Sequence, residues 1–65
     1  MYHYEVFYQF PICGTVAGGI EEINDESVQS VDEAIRATRA LHPNADLQIT
    51  QVTEWNESEF RKVRF

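Results

Sequence analysis

The most reactive side chains in this sequence are Cys13, His3 and His42. A structural zinc site takes four such ligands, usually in close pairs. The chain has one cysteine and two histidines, with no Cys-x-x-Cys and no His-x-x-x-His spacing. No metal is expected. A thiol nucleophile would need Cys13 within hydrogen-bond reach of a histidine, a third group to orient that base, and donors for an oxyanion. Nothing in the spacing supplies that set, and a chain of 65 residues has little depth to enclose it. Cys13 reads instead as a small buried apolar residue, and His3 as a half-exposed strand residue. The chain is expected to be non-catalytic and to carry no cofactor.

A second candidate is Gly14-Thr15-Val16-Ala17-Gly18-Gly19, where free amides and a hydroxyl could nest an anion. It lacks the Gly-Lys-Ser/Thr ending of a phosphate loop and the spacing of a dinucleotide loop. It also runs into Ile20-Glu21-Glu22, which repels phosphate. These glycines are expected at turns or bulges.

The third candidate is the C-terminal cluster of Gln51, Trp55, Phe60, Arg61, Lys62 and Arg64. Trp and Arg are enriched where binding energy concentrates. A ring stacking on Trp55, with phosphates meeting Lys62 and Arg64, would bind a nucleotide. The competing structural reading has Trp55 closing the end of the core while the basic residues balance an acidic first half. These side chains act together only if the elements that carry them set them on one face.

Tyr2 to Phe10 alternates with period two: Tyr2, Tyr4, Val6, Tyr8 and Phe10 against His3, Glu5, Phe7 and Gln9. The residues are β-formers. Phe7 on the otherwise polar face predicts a central strand. Pro11 ends or bends it. A second strand covers part of Thr15 to Asn24, with the turn near Pro11–Gly14 or at Gly18–Gly19. Ile20 and Ile23, three apart, predict a bulge.

Ser30-Val31-Asp32-Glu33 is a capping box, with the Ser30 hydroxyl on the Glu33 amide and the Glu33 side chain on the Ser30 amide. Val31, Ala34, Ile35, Thr38 and Leu41 form the apolar stripe of the helix that follows. Pro43 stops the helix near His42. Asp46 to Trp55 reads as a third strand in which Leu47 and Ile49 fall out of phase with Val52, through twist or a bulge. For the C-terminus, a short helix competes with a hairpin whose loop is Asn56 to Glu59. The hairpin pairs Trp55 with Phe60, Glu54 with Arg61 and Val52 with Val63, all favourable cross-strand partners, and is the reading adopted. It places Gln51, Trp55, Phe60, Lys62 and Arg64 on one face.

The order β-β-α-β-β predicts one α+β domain over residues 1–65. Its antiparallel sheet is ordered 2-1-3-4, with the helix on one face. A chain this short buries roughly 60% of its unfolded surface and nets about 3–5 kcal/mol from one core. A single cysteine excludes an internal disulfide, so self-association through the uncovered face is the expected support.

The net charge is −6, and every Lys and Arg lies at or after position 36. The acidic first half repels nucleic acid and membranes and attracts basic protein surfaces. His3, Phe7, Glu21, Glu22, Asp25 and Glu26 are the candidate partner interface. No apolar run approaches the roughly 20 residues of a membrane span. The start lacks the basic residues of a secretory signal. The free thiol suits a reducing cytoplasm.

In size, acidity and aromatic content the chain resembles the small phage-encoded anti-defence proteins, a likeness of class. That resemblance implies either sequestration of a nucleotide signal or direct blockade of a host effector. The leading expectation is a homo-oligomeric binding protein for a nucleotide-derived anionic small molecule. The alternative is an acidic protein inhibitor, in the manner of a nucleic-acid mimic, acting by protein–protein contact.

Overall fold

The computed structural model describes residues 2–43, 45–57 and 59–65. Strands β1 (Tyr2–Ile12) and β2 (Thr15–Ile23), helix α1 (Val31–Leu41), and strands β3 (Gln48–Asn56) and β4 (Glu59–Arg64) follow in that order. The sheet is antiparallel throughout and ordered β2-β1-β3-β4, as the alternation in β1 predicts. The fold class is α+β. Strand β1 lies inside, paired along one edge with β2 and along the other with β3.

The β1–β2 turn sits at Cys13 and Gly14, between the paired residues Ile12 and Thr15. Both turn residues have positive φ, 47° and 79°, the backbone twist that a two-residue hairpin favours. Cys13 is therefore exposed at the tip, which corrects its expected burial. Pro11 does not end β1. It pairs with Val16, beyond the last β1–β3 pair at Gln9–Gln48, where its missing N–H leaves no ladder bond to β3 unmade.

Gly18 and Gly19 lie inside β2, not at a turn. A Cβ on Gly19 would meet the Tyr8 hydroxyl oxygen at 2.6 Å, so glycine there lets the Tyr8 ring lie across β2. The β1–β2 register is unbroken. Ile20 and Ile23 consequently sit on opposite faces, and the bulge expected between them is absent. The irregularity falls in β3. Gln51 pairs with Phe7 and Ile49 with Tyr8, leaving Thr50 as the extra residue. Its hydroxyl donates to the Phe7 carbonyl at 3.3 Å. This bulge brings Ile49 and Val52, three apart, onto the same face.

The core lies between that face and α1. It comprises Tyr4, Val6, Ile23, Val28, Ala34, Leu47, Ile49 and Val52. The Ser30 hydroxyl accepts from the Glu33 amide at 3.1 Å. The Glu33 carboxylate accepts from the Ser30 hydroxyl at 3.2 Å, rather than from the Ser30 amide as a full capping box would require. Leu41 is 61% exposed. The inward place at the end of the helix goes instead to the C-cap residue His42, four residues after Thr38. His42 meets Glu21 at 3.0 Å and the Tyr8 ring at 5.3 Å. Arg39 donates to the Leu47 carbonyl at 2.8 Å, tying the helix to the approach of β3.

The β3–β4 register is the one the sequence predicts: Trp55 with Phe60, Glu54 with Arg61, Val52 with Val63. The loop is shorter than expected, because Asn56 pairs with Glu59. The part of that loop at Ser58 lies outside the described residues.

Candidate functional site

Strand alternation assigns each candidate residue a face. Tyr4, Val6 and Val52 point at α1, so their neighbours along each strand point away from it. The open face carries His3, Glu5 and Phe7 from β1, Ile20 and Glu22 from β2, Gln51 and Trp55 from β3, and Phe60, Lys62 and Arg64 from β4. Among the described residues, no helix or strand covers this face.

A line of rings crosses its end. His3 and Trp55 have centroids 5.0 Å apart, Trp55 and Phe60 are 5.3 Å apart, and the Lys62 ammonium stands 5.7 Å from the Phe60 centroid. His3 is hydrogen-bonded through Nδ1 to Asn24. Trp55 is thus half-buried on the open face and does not close the core. Gln51 lies beside Arg64 and donates to the Thr53 hydroxyl at 3.1 Å. A planar ring could lie against Trp55 and Phe60 here, with anionic groups reaching Lys62 and Arg64.

Arg61 does not join them. It faces the helix side, where its guanidinium meets Glu54 at 3.0 Å. The other oxygen of Glu54 accepts from the Tyr4 hydroxyl at 2.7 Å. Burial, followed by the hydrogen bond and charge of Glu54, holds the Tyr4 phenol above its ordinary pKa. Arg61 and Glu54 line a cleft of about 280 Å³ with Tyr2, Gln29, Asn56 and Glu59. Sequence reasoning found the Glu54–Arg61 pair but missed Tyr4 as its third member. The even face of β1 carried that signal.

The candidate partner residues divide. His3, Phe7 and Glu22 are on the open face. Glu21 turns to the helix side and pairs with His42 at 3.0 Å. Asp25 and Glu26 lie in the connection from β2 to α1. The Ser27 amide and hydroxyl donate to Asp25 at 2.9 and 2.7 Å and hold its carboxyl below the usual range.

Cys13 and His3 are at opposite ends of the β1–β2 hairpin, roughly 30 Å apart along an extended strand. They cannot act as a pair. Among the described residues, no three His, Cys, Asp or Glu side chains gather as a metal group, and no helix is long and apolar enough to cross a membrane. Comparison with protein families, with curated proteins and with solved structures finds no match.

Proposed function

We propose that this chain is a non-catalytic binding protein whose working surface is the open face of the sheet. It captures a ring-bearing anion, a nucleotide-derived small molecule, at Trp55, Phe60, Lys62 and Arg64. The observation that carries this reading is the gathering of an aromatic pair and two cations on one uncovered face. The rings supply a stacking surface and the cations supply charge-assisted donors to phosphate. Sequestration of a nucleotide signal, as in the anti-defence proteins that the chain resembles in class, needs no more machinery than this. A reducing, cytoplasmic setting suits the exposed thiol of Cys13.

The test is a titration of tryptophan fluorescence with nucleoside mono-, di- and triphosphates and cyclic dinucleotides, Trp55 being the only tryptophan. Saturable quenching by one of these, lost in the Lys62→Glu/Arg64→Glu variant, is the expected result. A folded double variant that binds as tightly as the wild type would refute the reading.

Blockade of a host effector by protein contact is the second reading. It is favoured by the extent of the face, because Phe7, Ile20 and Val16 continue it well past the area a nucleotide covers. A single acidic surface mimicking nucleic acid is less well supported, since Glu21 and Glu22 point to opposite sides.

A further inference from the structure

The open face is charged asymmetrically. One row across the strands reads Glu22, Glu5, Thr53, Lys62, and the next reads Ile20, Phe7, Gln51, Arg64. Negative charge lies over β2 and β1, and positive charge over β4. Glu5 and Glu22 are direct cross-strand partners, an arrangement of like charges that destabilises a sheet. Neither is in an ion pair among the described residues. The cation in their row, Lys62, is two strands from Glu5, roughly 10 Å away.

Resting on the reading that the open face is the working surface, we infer that in the free protein this face is covered by a second copy of the chain, stacked face to face about a two-fold axis parallel to the strands. The axis lies between β1 and β3, so it exchanges β2 with β4 and β1 with β3. Lys62 of each copy then stands over Glu22 of the other, beside Glu5, and Arg64 stands over Ile20. The unpartnered acidic pair gains a cation twice, once in each copy. Phe7 and Ile20 leave water. The other in-plane two-fold, across the strands, would stack β4 on β4 and oppose cation to cation. The face is therefore self-complementary in one orientation, as an isologous interface requires.

The spacing allows this arrangement, and the area makes it a weak one. Sheets stack about 10 Å apart, a gap that opposed Lys and Glu side chains can bridge. Four strands about 4.8 Å apart and some seven residues of about 3.3 Å each give roughly 900 Å² covered over the two copies. Stable specific interfaces begin near roughly 1,200 Å², so this is a weak dimer, one that forms only at high protein concentration. Lys62 cannot serve an anion and Glu22 at once. Capture of an anionic ligand and self-association therefore compete.

Charge-swapped variants in sedimentation velocity test the geometry. Wild type at about 100 μM should sediment as a dimer. Lys62→Glu and Glu22→Lys should each weaken the dimer about 10–100-fold, because each substitution acts twice across the two-fold. An equimolar mixture of the two should recover it. The glutamate introduced by Lys62→Glu in one chain then faces the lysine introduced by Glu22→Lys in the other, and the native Lys62–Glu22 contact survives once. Circular dichroism establishes that each variant is folded. A wild-type monomer at 100 μM overturns the inference, as do single variants that still dimerise, which would indicate pairing through the β2 edge, and a mixture that stays monomeric. Nucleotide titration of the same samples is scored separately. A monomer that binds nucleotide removes the dimer and leaves the proposed function standing.

Discussion

Tyr4→Phe removes one oxygen from the centre of the fold, and its cost can be worked from the contacts. The Tyr4 side chain is fully buried. Its hydroxyl donates to Glu54 at 2.7 Å. The Glu54 side chain is only 11% exposed, while its second partner, Arg61, is 62% exposed. Tyr4 is therefore the buried partner of that carboxylate and Arg61 the solvent-facing one. A hydrogen bond to a charged group contributes about 1.5–3 kcal/mol. In a domain of this size, about 2 kcal/mol lowers the melting temperature by roughly 8–16 °C. Urea unfolding of Tyr4→Phe, Glu54→Leu and the double variant should show a coupling of about 0.5–3 kcal/mol, because removing either partner strands the other. The dependence on pH has a fixed sign. The folded-state pKa of Tyr4 is raised above the ordinary value of 10.0, so its contribution is full below that pH. The contribution is lost as pH rises further, where the unfolded chain releases the proton and the folded chain holds it. The gap between wild type and Tyr4→Phe should therefore narrow above pH 10. A variant within about 0.5 kcal/mol of wild type, the range of an ordinary surface substitution, or strictly additive costs in the cycle, would refute the reasoning.

Two further substitutions test the elements that hold the faces in place. Ser30→Ala deletes the acceptor for the Glu33 amide and should cost about 0.5–2 kcal/mol, read as a melting point several degrees lower. Gly19→Ala drives a Cβ into the Tyr8 ring and should cost about 1–3 kcal/mol, with the Tyr8 ring resonances shifting in an NMR spectrum. Unchanged resonances would mean that Tyr8 does not lie across β2.

The parts of this fold that are legible in the sequence are those governed by local or directly paired chemistry. Alternation from Tyr2 to Phe10 identifies β1 and its central place. Ser30 and Glu33 fix the helix start. The succession of Trp55–Phe60, Glu54–Arg61 and Val52–Val63 fixes the last register and places Trp55 beside Lys62. The parts that are not legible depend on tertiary context. Gly14, Gly18 and Gly19 carry the same local turn signal, and only the packing of Tyr8 on Gly19 shows that one glycine serves a turn and another a crossing ring. The bulge at Thr50 has no residue signature of its own. Hydrophobicity favours Leu41 as the inward residue at the end of the helix, yet the C-cap His42 turns inward to meet Glu21 on β2 and Tyr8 on β1. Charge type groups Arg61 with Lys62 and Arg64, although alternation in β4 sends it to the other side.

That alternation divides the labour of the domain. On β4, Arg61 meets Glu54 on the helix side of the sheet, while Lys62, its immediate neighbour, stands over Phe60 on the open face. On β3, Glu54 is buried against Tyr4, while Trp55 faces outward between His3 and Phe60. Adjacent residues thus answer to different physics. One set is held by burial and hydrogen bonding, where a lost partner strands a charge. The other is held by ring contacts and screened surface charge. A marginal domain can keep a binding surface only if that surface is not also its core. The one-sided packing of α1 achieves this separation: Tyr4, Val6 and Val52 keep the sheet together on one face, while Trp55, Phe60, Lys62 and Arg64 lie on the other, where the proposed ligand or second chain would meet them.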